Sequence, residues 1–255
     1  MYIDVVDLRA FYSNRLGVVA RRLIAERLRR HWPDVNETHC VMGMGYATPY
    51  LPVFAAKAGR VIAFMPAAQG VIHWPQDGPN RTTLVDEAEL PLPDACVNRV
   101  LVAHSLEMVD NPGDQLREIW RVLAQDGRMI IVAPNRSGIW SRSEGTPFGY
   151  GRPFGRTQLT TLLRDTGFTP TAWSEALAFP PFRYEPFLRS GVTWERIGRL
   201  MWPAFSGVLI VEANKRHHGA VRATRRARRL RPAFEPVLAP PGAAASVEPC
   251  VGTKG

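Results

Sequence analysis

Residues 81–135 read RTTLVDEAELPLPDACVNRVLVAHSLEMVDNPGDQLREIWRVLAQDGRMIIVAPN, and this stretch decides the fold. Leu84-Val85 is a short apolar run that ends in acids, Asp86, Glu87 and Glu89, before the turn Pro91-Leu92-Pro93-Asp94. That is the pattern of a strand followed by a loop. Val97 to His104 is aliphatic, lacks clean alternation and is too short for a helix, as expected of a strand covered on both faces. From Asp114 to Ala124, Leu116, Ile119, Trp120 and Leu123 recur at helical spacing, with Arg117, Glu118 and Arg121 on the other side. The spacing predicts an amphipathic crossover helix. Asp126-Gly127 closes it, and Arg128 to Ala133 is another apolar strand, stopped by Pro134-Asn135. With connections this short, a parallel or mostly parallel sheet is predicted.

The run from Leu84 to Asn135 resembles the second half of a class I S-adenosylmethionine-dependent methyltransferase domain. The resemblance rests on an acid-bearing loop after one strand, the segment His104-Ser105-Leu106-Glu107 after the next, and RVLAQDGR leading into a third. It implies an α/β, Rossmann-like three-layer sandwich with a seven-stranded, mostly parallel sheet whose last strand is antiparallel, and S-adenosylmethionine as cofactor. It extends over about residues 35–214.

Thr38 to Met44 is the predicted first strand, and family members follow it with an acid-x-Gly-x-Gly-x-Gly turn that lets the cofactor approach the backbone. Here Gly43 stands at the acid, Gly45 matches the first glycine, and Ala47 and Pro49 replace the next two. In the second strand, Val61 to Pro66, Met65 takes the place of the acid that holds the ribose hydroxyls. A thioether is a poor acceptor, so a contact worth about 1–3 kcal/mol would be missing, and Gln69 is the nearest polar substitute. Asp86 matches the position that contacts the adenine amino group, and it also reads as a turn acid. The cofactor set implied by the resemblance is Gly43, Gly45, Tyr46, Met65, Asp86, Glu87 and His104. His104 is also the candidate catalytic residue, orienting a substrate or acting as a base near neutral pH, against the alternative of a packed core histidine.

Residues 136–154 interleave arginines with Trp140, Phe148, Tyr150 and several glycines. This loop either receives an anionic or aromatic substrate through Arg136, Trp140 and Arg142, or is a lid packed on the sheet. A helix is predicted over Thr157–Thr166 with Gly167 as its cap, then a sixth strand over Thr169–Phe179. A Pro- and aromatic-rich insertion at 180–205 precedes the last strand, Gly207–Ala213. Before the domain, residues 1–34 place Leu8, Phe11, Tyr12, Leu16, Leu23, Ile24 and Leu28 in threes and fours, predicting two helices broken near Gly17 that pack on the domain. Arg21, Arg22, Arg27, Arg29 and Arg30 fall outside this stripe, as a solvated face or an RNA-facing one.

Of the 32 Lys and Arg, eight lie in 215–231 and one is Lys254; of the 23 Asp and Glu, only Glu235 and Glu248 lie beyond Asn214. The body therefore carries 23 basic and 21 acidic residues, and the net charge of +9 sits mainly in the tail. Residues 215–255 read as a basic segment followed by Pro- and Ala-rich chain that buries no core, and the basic part suits a nucleic acid or an acidic partner. Cys40, Cys96 and Cys250 have no metal-ligand spacing and read as reduced thiols, no run is long enough to span a bilayer, and Asp4 and Asp7 argue against a signal peptide. A cytoplasmic protein without a metal or a membrane is the expectation.

Two functions follow. The first is methyl transfer from S-adenosylmethionine to an unnamed acceptor. The second is a non-catalytic protein of the same fold that binds or regulates, in association with RNA. Gly43, Ala47, Pro49 and Met65 favour the second, and so would a cofactor hollow filled by the protein's own atoms. A dinucleotide-binding oxidoreductase needs a glycine-rich first turn and an acid ending the second strand, and the sequence has neither.

Overall fold

The computed structural model describes residues 3–181 and 206–216. In chain order the elements are α1 (Val5–Ser13), α2 (Arg15–His31), β1 (Cys40–Gly45), α3 (Pro52–Ala55), β2 (Arg60–Pro66), β3 (Thr82–Val85), β4 (Val97–Ala103), α4 (Pro112–Val122), β5 (Leu123–Pro134), α5 (Arg156–Asp165), β6 (Phe168–Ala176) and β7 (Val208–Lys215). The strands form one seven-stranded sheet in the order β3-β2-β1-β4-β5-β7-β6. The pairs from β3 through β5 are parallel, and β7 runs antiparallel between β5 and β6. This is the Rossmann-like α/β sheet that the sequence predicts.

Strands buried on both faces explain the unbroken apolar runs. Val41, Leu101 and Ile130 point to the side covered by α1, α2 and the turn after β1. Met42, Val100 and Ile131 point to the side covered by α4 and α5. The helix after β4 begins two residues earlier than predicted because Pro112, whose missing N–H costs nothing there, occupies its first turn. It ends at Val122 and passes directly into β5, so Asp126-Gly127 lies within strand β5 rather than closing the helix.

The N-terminal break falls at Asn14, not Gly17. Asn14 is extended and ends α1, while its side-chain oxygen accepts from the Gly17 N–H and starts α2. At the far end of α2, His31 meets Glu212 at 3.2 Å and Ser174 at 2.7 Å, fastening the helix to β7 and β6. Arg27, predicted outside, is buried and donates to the Glu175 carbonyl; Arg21, Arg22, Arg29 and Arg30 are exposed. The last strand runs two residues past Ala213, and the Lys215 ammonium bonds the Leu123 carbonyl and covers the Trp120 ring. Most of the 180–205 insertion and the tail beyond Arg216, with Cys250, lie outside the described residues. Cys40 and Cys96 are free thiols. Among the described residues no helix is long and apolar enough to cross a membrane, and no His, Cys, Asp and Glu cluster suits a metal.

One ion pair on α4 gives a pH-dependent test. Glu118 accepts from Arg121 and from the Leu90 N–H. The Arg121 hydrogen bond, opposed by burial, holds the carboxyl below its ordinary value. A carboxyl whose folded pKa lies below its unfolded one contributes stability above the ordinary carboxylate range and loses it as pH falls through the folded value. Glu118→Gln is therefore expected to lower the melting temperature by a few degrees at neutral pH. That difference should vanish as the pH falls below the carboxylate range, in melts followed by circular dichroism.

Candidate functional site

The strand order reverses between β1 and β4, and ligands of open α/β sheets bind at the carboxyl ends of strands flanking such a point. β1 ends in Gly45 at φ +76, and a β-carbon there would lie 2.5 Å from both the Ala103 carbonyl and Ser105 Cβ. Only glycine allows this approach. The chain then folds back on its own strand: a β-carbon at Gly43 would lie 2.9 Å from Ala47 and Leu51, so this position serves to seat the turn.

His104 follows β4 directly; it is buried and holds the left-handed φ of +49, an uncommon conformation for a side-chain-bearing residue. Its Nε2 lies 2.6 Å from the Tyr12 hydroxyl, which lies 2.6 Å from that of Tyr50. On the other side of the ring, Nδ1 faces Glu107 Oε1 at 3.6 Å. Neither Nδ1 nor either Glu107 oxygen has a hydrogen-bond partner. Burial, then the neighbouring Tyr50, pushes the Tyr12 phenol well above its ordinary value; burial does the same to Tyr50. Both phenols therefore keep their protons. The Tyr12 hydroxyl thus bridges the Tyr50 hydroxyl and His104 Nε2, while Nδ1 faces Glu107. The result is a buried polar chain, Tyr50–Tyr12–His104–Glu107, spanning α1, the turn after β1 and the end of β4.

Gln69, just past β2, reaches across to donate to the His104 carbonyl at 2.7 Å, while its own Oε1 has no partner. Tyr46 is buried and stacks on Tyr12 at 5.8 Å. Phe148 closes on the His104 ring at 5.0 Å. Met65, Gln69, His104 and Ser105 are each at most 1% exposed, so the ends of β1, β2 and β4 are covered by the protein's own side chains.

The other predicted residues are placed apart from this cluster. Asp86 is exposed at the end of β3, where Oδ1 accepts from the Ala88 N–H, and Glu87 beside it is half-buried. Arg136 is exposed and bonds Gln158; Arg142 is exposed. Trp140 faces no substrate space. It is wholly buried against Phe148 and Phe179, and its indole N–H bonds the Phe179 carbonyl. The 136–154 segment is accordingly a packed lid with two short 3-10 turns, Trp140–Arg142 and Pro147–Gly149. Sequence reasoning missed Tyr12 and Tyr50 as site residues. Tyr12 sits four residues from both Leu8 and Leu16 on the apolar stripe of the N-terminal helices, so spacing alone marks it as core.

Residues 41–131 match the family model described as a methyltransferase domain. A protein of Mycobacterium tuberculosis (strain CDC 1551 / Oshkosh) named as a probable S-adenosylmethionine-dependent methyltransferase is 32% identical over 173 residues, which are 67% of this chain and 60% of that protein. This chain thus spans 60% of that relative's length. Among solved structures, a SAM-dependent methyltransferase from Thermotoga maritima superposes with a TM-score of 0.55 at 15% identity, over 83% of this chain and 96% of its own. Geranyl diphosphate C-methyltransferase from Streptomyces coelicolor A3(2), solved with S-adenosyl-L-homocysteine, superposes at 0.53 with 18% identity, over 75% of this chain and 76% of its own. S-adenosylmethionine is the cofactor of the methyltransferase family, and here the buried side chains of Tyr12, Tyr46 and Gln69 cover the strand ends at which it would sit. The left-handed turn at Gly45 where the strand order reverses, the β7 hairpin and the matched 41–131 segment nonetheless agree, and the chain belongs to the class I S-adenosylmethionine-dependent methyltransferase family.

Proposed function

We propose that this chain is an S-adenosylmethionine-dependent methyltransferase, transferring a methyl group to an acceptor that its relatives do not identify. The observation that carries the reading is the Gly45 turn pressed on the end of β4, with the Asp86 carboxylate left exposed one strand beyond β2. Gly43, Gly45, Tyr46, Met65, Asp86, Glu87 and His104 would hold the cofactor, and Tyr12 and Gln69 would have to withdraw to admit it. Methyl transfer needs chiefly alignment, so the chain's own contribution is to exclude water and hold the reactants in line. His104 would receive a proton through its ring, with Glu107 fixing the ring's orientation. The 35–214 domain, preceded by its N-terminal helices, would carry the activity, and the 215–231 segment would attract a nucleic acid or an acidic partner in the cytoplasm.

The filled strand ends favour a second reading, a protein of this fold that binds a partner without the cofactor. Equilibrium dialysis of the full chain against methyl-labelled S-adenosylmethionine separates the two. Saturable one-to-one retention is expected, and no retention at millimolar ligand would leave only the second reading.

A further inference from the structure

Outside Tyr12 and Tyr46 lies a cavity of about 480 Å³, within the size range of small-molecule sites. Its walls come from α1, α2, the turn after β1 and the segment 72–76, and no Asp or Glu lines it. Two of its residues are Arg9 on α1 and Arg21 on α2, both exposed and neither paired with a carboxylate among the described residues. Elsewhere the arginines Arg30, Arg99, Arg117 and Arg121 each meet one. Two unpaired guanidiniums on an acid-free wall concentrate positive potential in a cleft, and a guanidinium fork matches a carboxylate. Tyr46 and Trp74 add flat apolar surface for a ring. Tyr12 also lines the cavity, and its hydroxyl is the first link of the chain to His104 and Glu107.

We propose that this cavity is the acceptor site and takes an aromatic carboxylic acid, with the carboxylate on Arg9 and Arg21 and the ring against Trp74 and Tyr46. Only the word acceptor rests on the methyltransferase reading; the binding does not. The test titrates the full chain, without S-adenosylmethionine, with 4-hydroxybenzoate and with its uncharged counterpart 4-hydroxybenzamide, by calorimetry and thermal shift. The acid is expected to bind saturably at millimolar concentration or below, with the amide about tenfold weaker, the ratio expected for one charged hydrogen-bond pair. Arg9→Gln and Arg21→Gln, both at exposed positions, should keep the wild-type melting temperature and each bring the acid down to the amide's affinity. Failure of the acid to bind, equal binding of acid and amide, or undiminished binding by both variants would overturn the site. If the acid binds while S-adenosylmethionine does not, the site stands and the methyltransferase reading falls; the opposite pair of results removes the site alone.

Discussion

Trp140→Ala is expected to lower the free energy of unfolding by about 3–5 kcal/mol, the cost of emptying a large, fully packed aromatic position. The indole is wholly buried, meets Phe148 and Phe179 edge-on at 5.6 and 5.4 Å, and donates its N–H to the Phe179 carbonyl. Truncation leaves a cavity and an unpaired carbonyl together. Urea denaturation followed by circular dichroism reads the change. Arg142, two residues on and exposed, provides the contrast: Arg142→Ala should stay within about 0.5 kcal/mol of wild type. A small effect at Trp140 would mean that the 136–154 segment is not the packed lid described.

Glu107→Met should move stability the other way. The side chain is 1% exposed, neither carboxyl oxygen has a hydrogen-bond partner, and Oε1 lies 3.6 Å from His104 Nδ1. Leaving a buried polar group unsatisfied costs about 1–3 kcal/mol, so a thioether of similar length should raise the unfolding free energy by about 1–2 kcal/mol. A carboxyl that costs stability where it stands is the mark of a functional position, and here it faces the histidine that follows β4. Under the proposed function the same variant should lose methyl transfer. A loss of stability on Glu107→Met would show that the carboxyl is structural instead.

Much of the sheet is legible in the sequence because strands buried on both faces cannot alternate, and residues 97–103 and 128–133 do not. The altered first turn is legible too, since Gly45 needs its positive φ whatever follows. Two features are not. Asn14 breaks the N-terminal helices by capping both, which competes with the breaking tendency of Gly17 and wins because the Asn14 oxygen bonds that glycine's own N–H. The closure of the strand ends depends on Tyr12 meeting His104, 92 positions away, and on Gln69 crossing from β2 to β4. Gln69 is visible as a polar residue near the Met65 position, but its direction is set by tertiary packing. Tyr12 is hidden because a tyrosine on an apolar stripe reads as core until its hydroxyl is seen to have partners. Trp140 misleads for the converse reason: aromatics among arginines and glycines look like a binding loop, whereas this one anchors the loop to the core.

Under the proposed function Tyr12, buried against His104, must move for the cofactor to enter, and truncating it tests the account. Calorimetric titration with S-adenosyl-L-homocysteine should show saturable binding by the wild-type chain and, for Tyr12→Ala, binding about tenfold tighter, because the variant no longer has to open a closed state before binding. No binding by either protein, or weaker binding by a folded Tyr12→Ala, would contradict it.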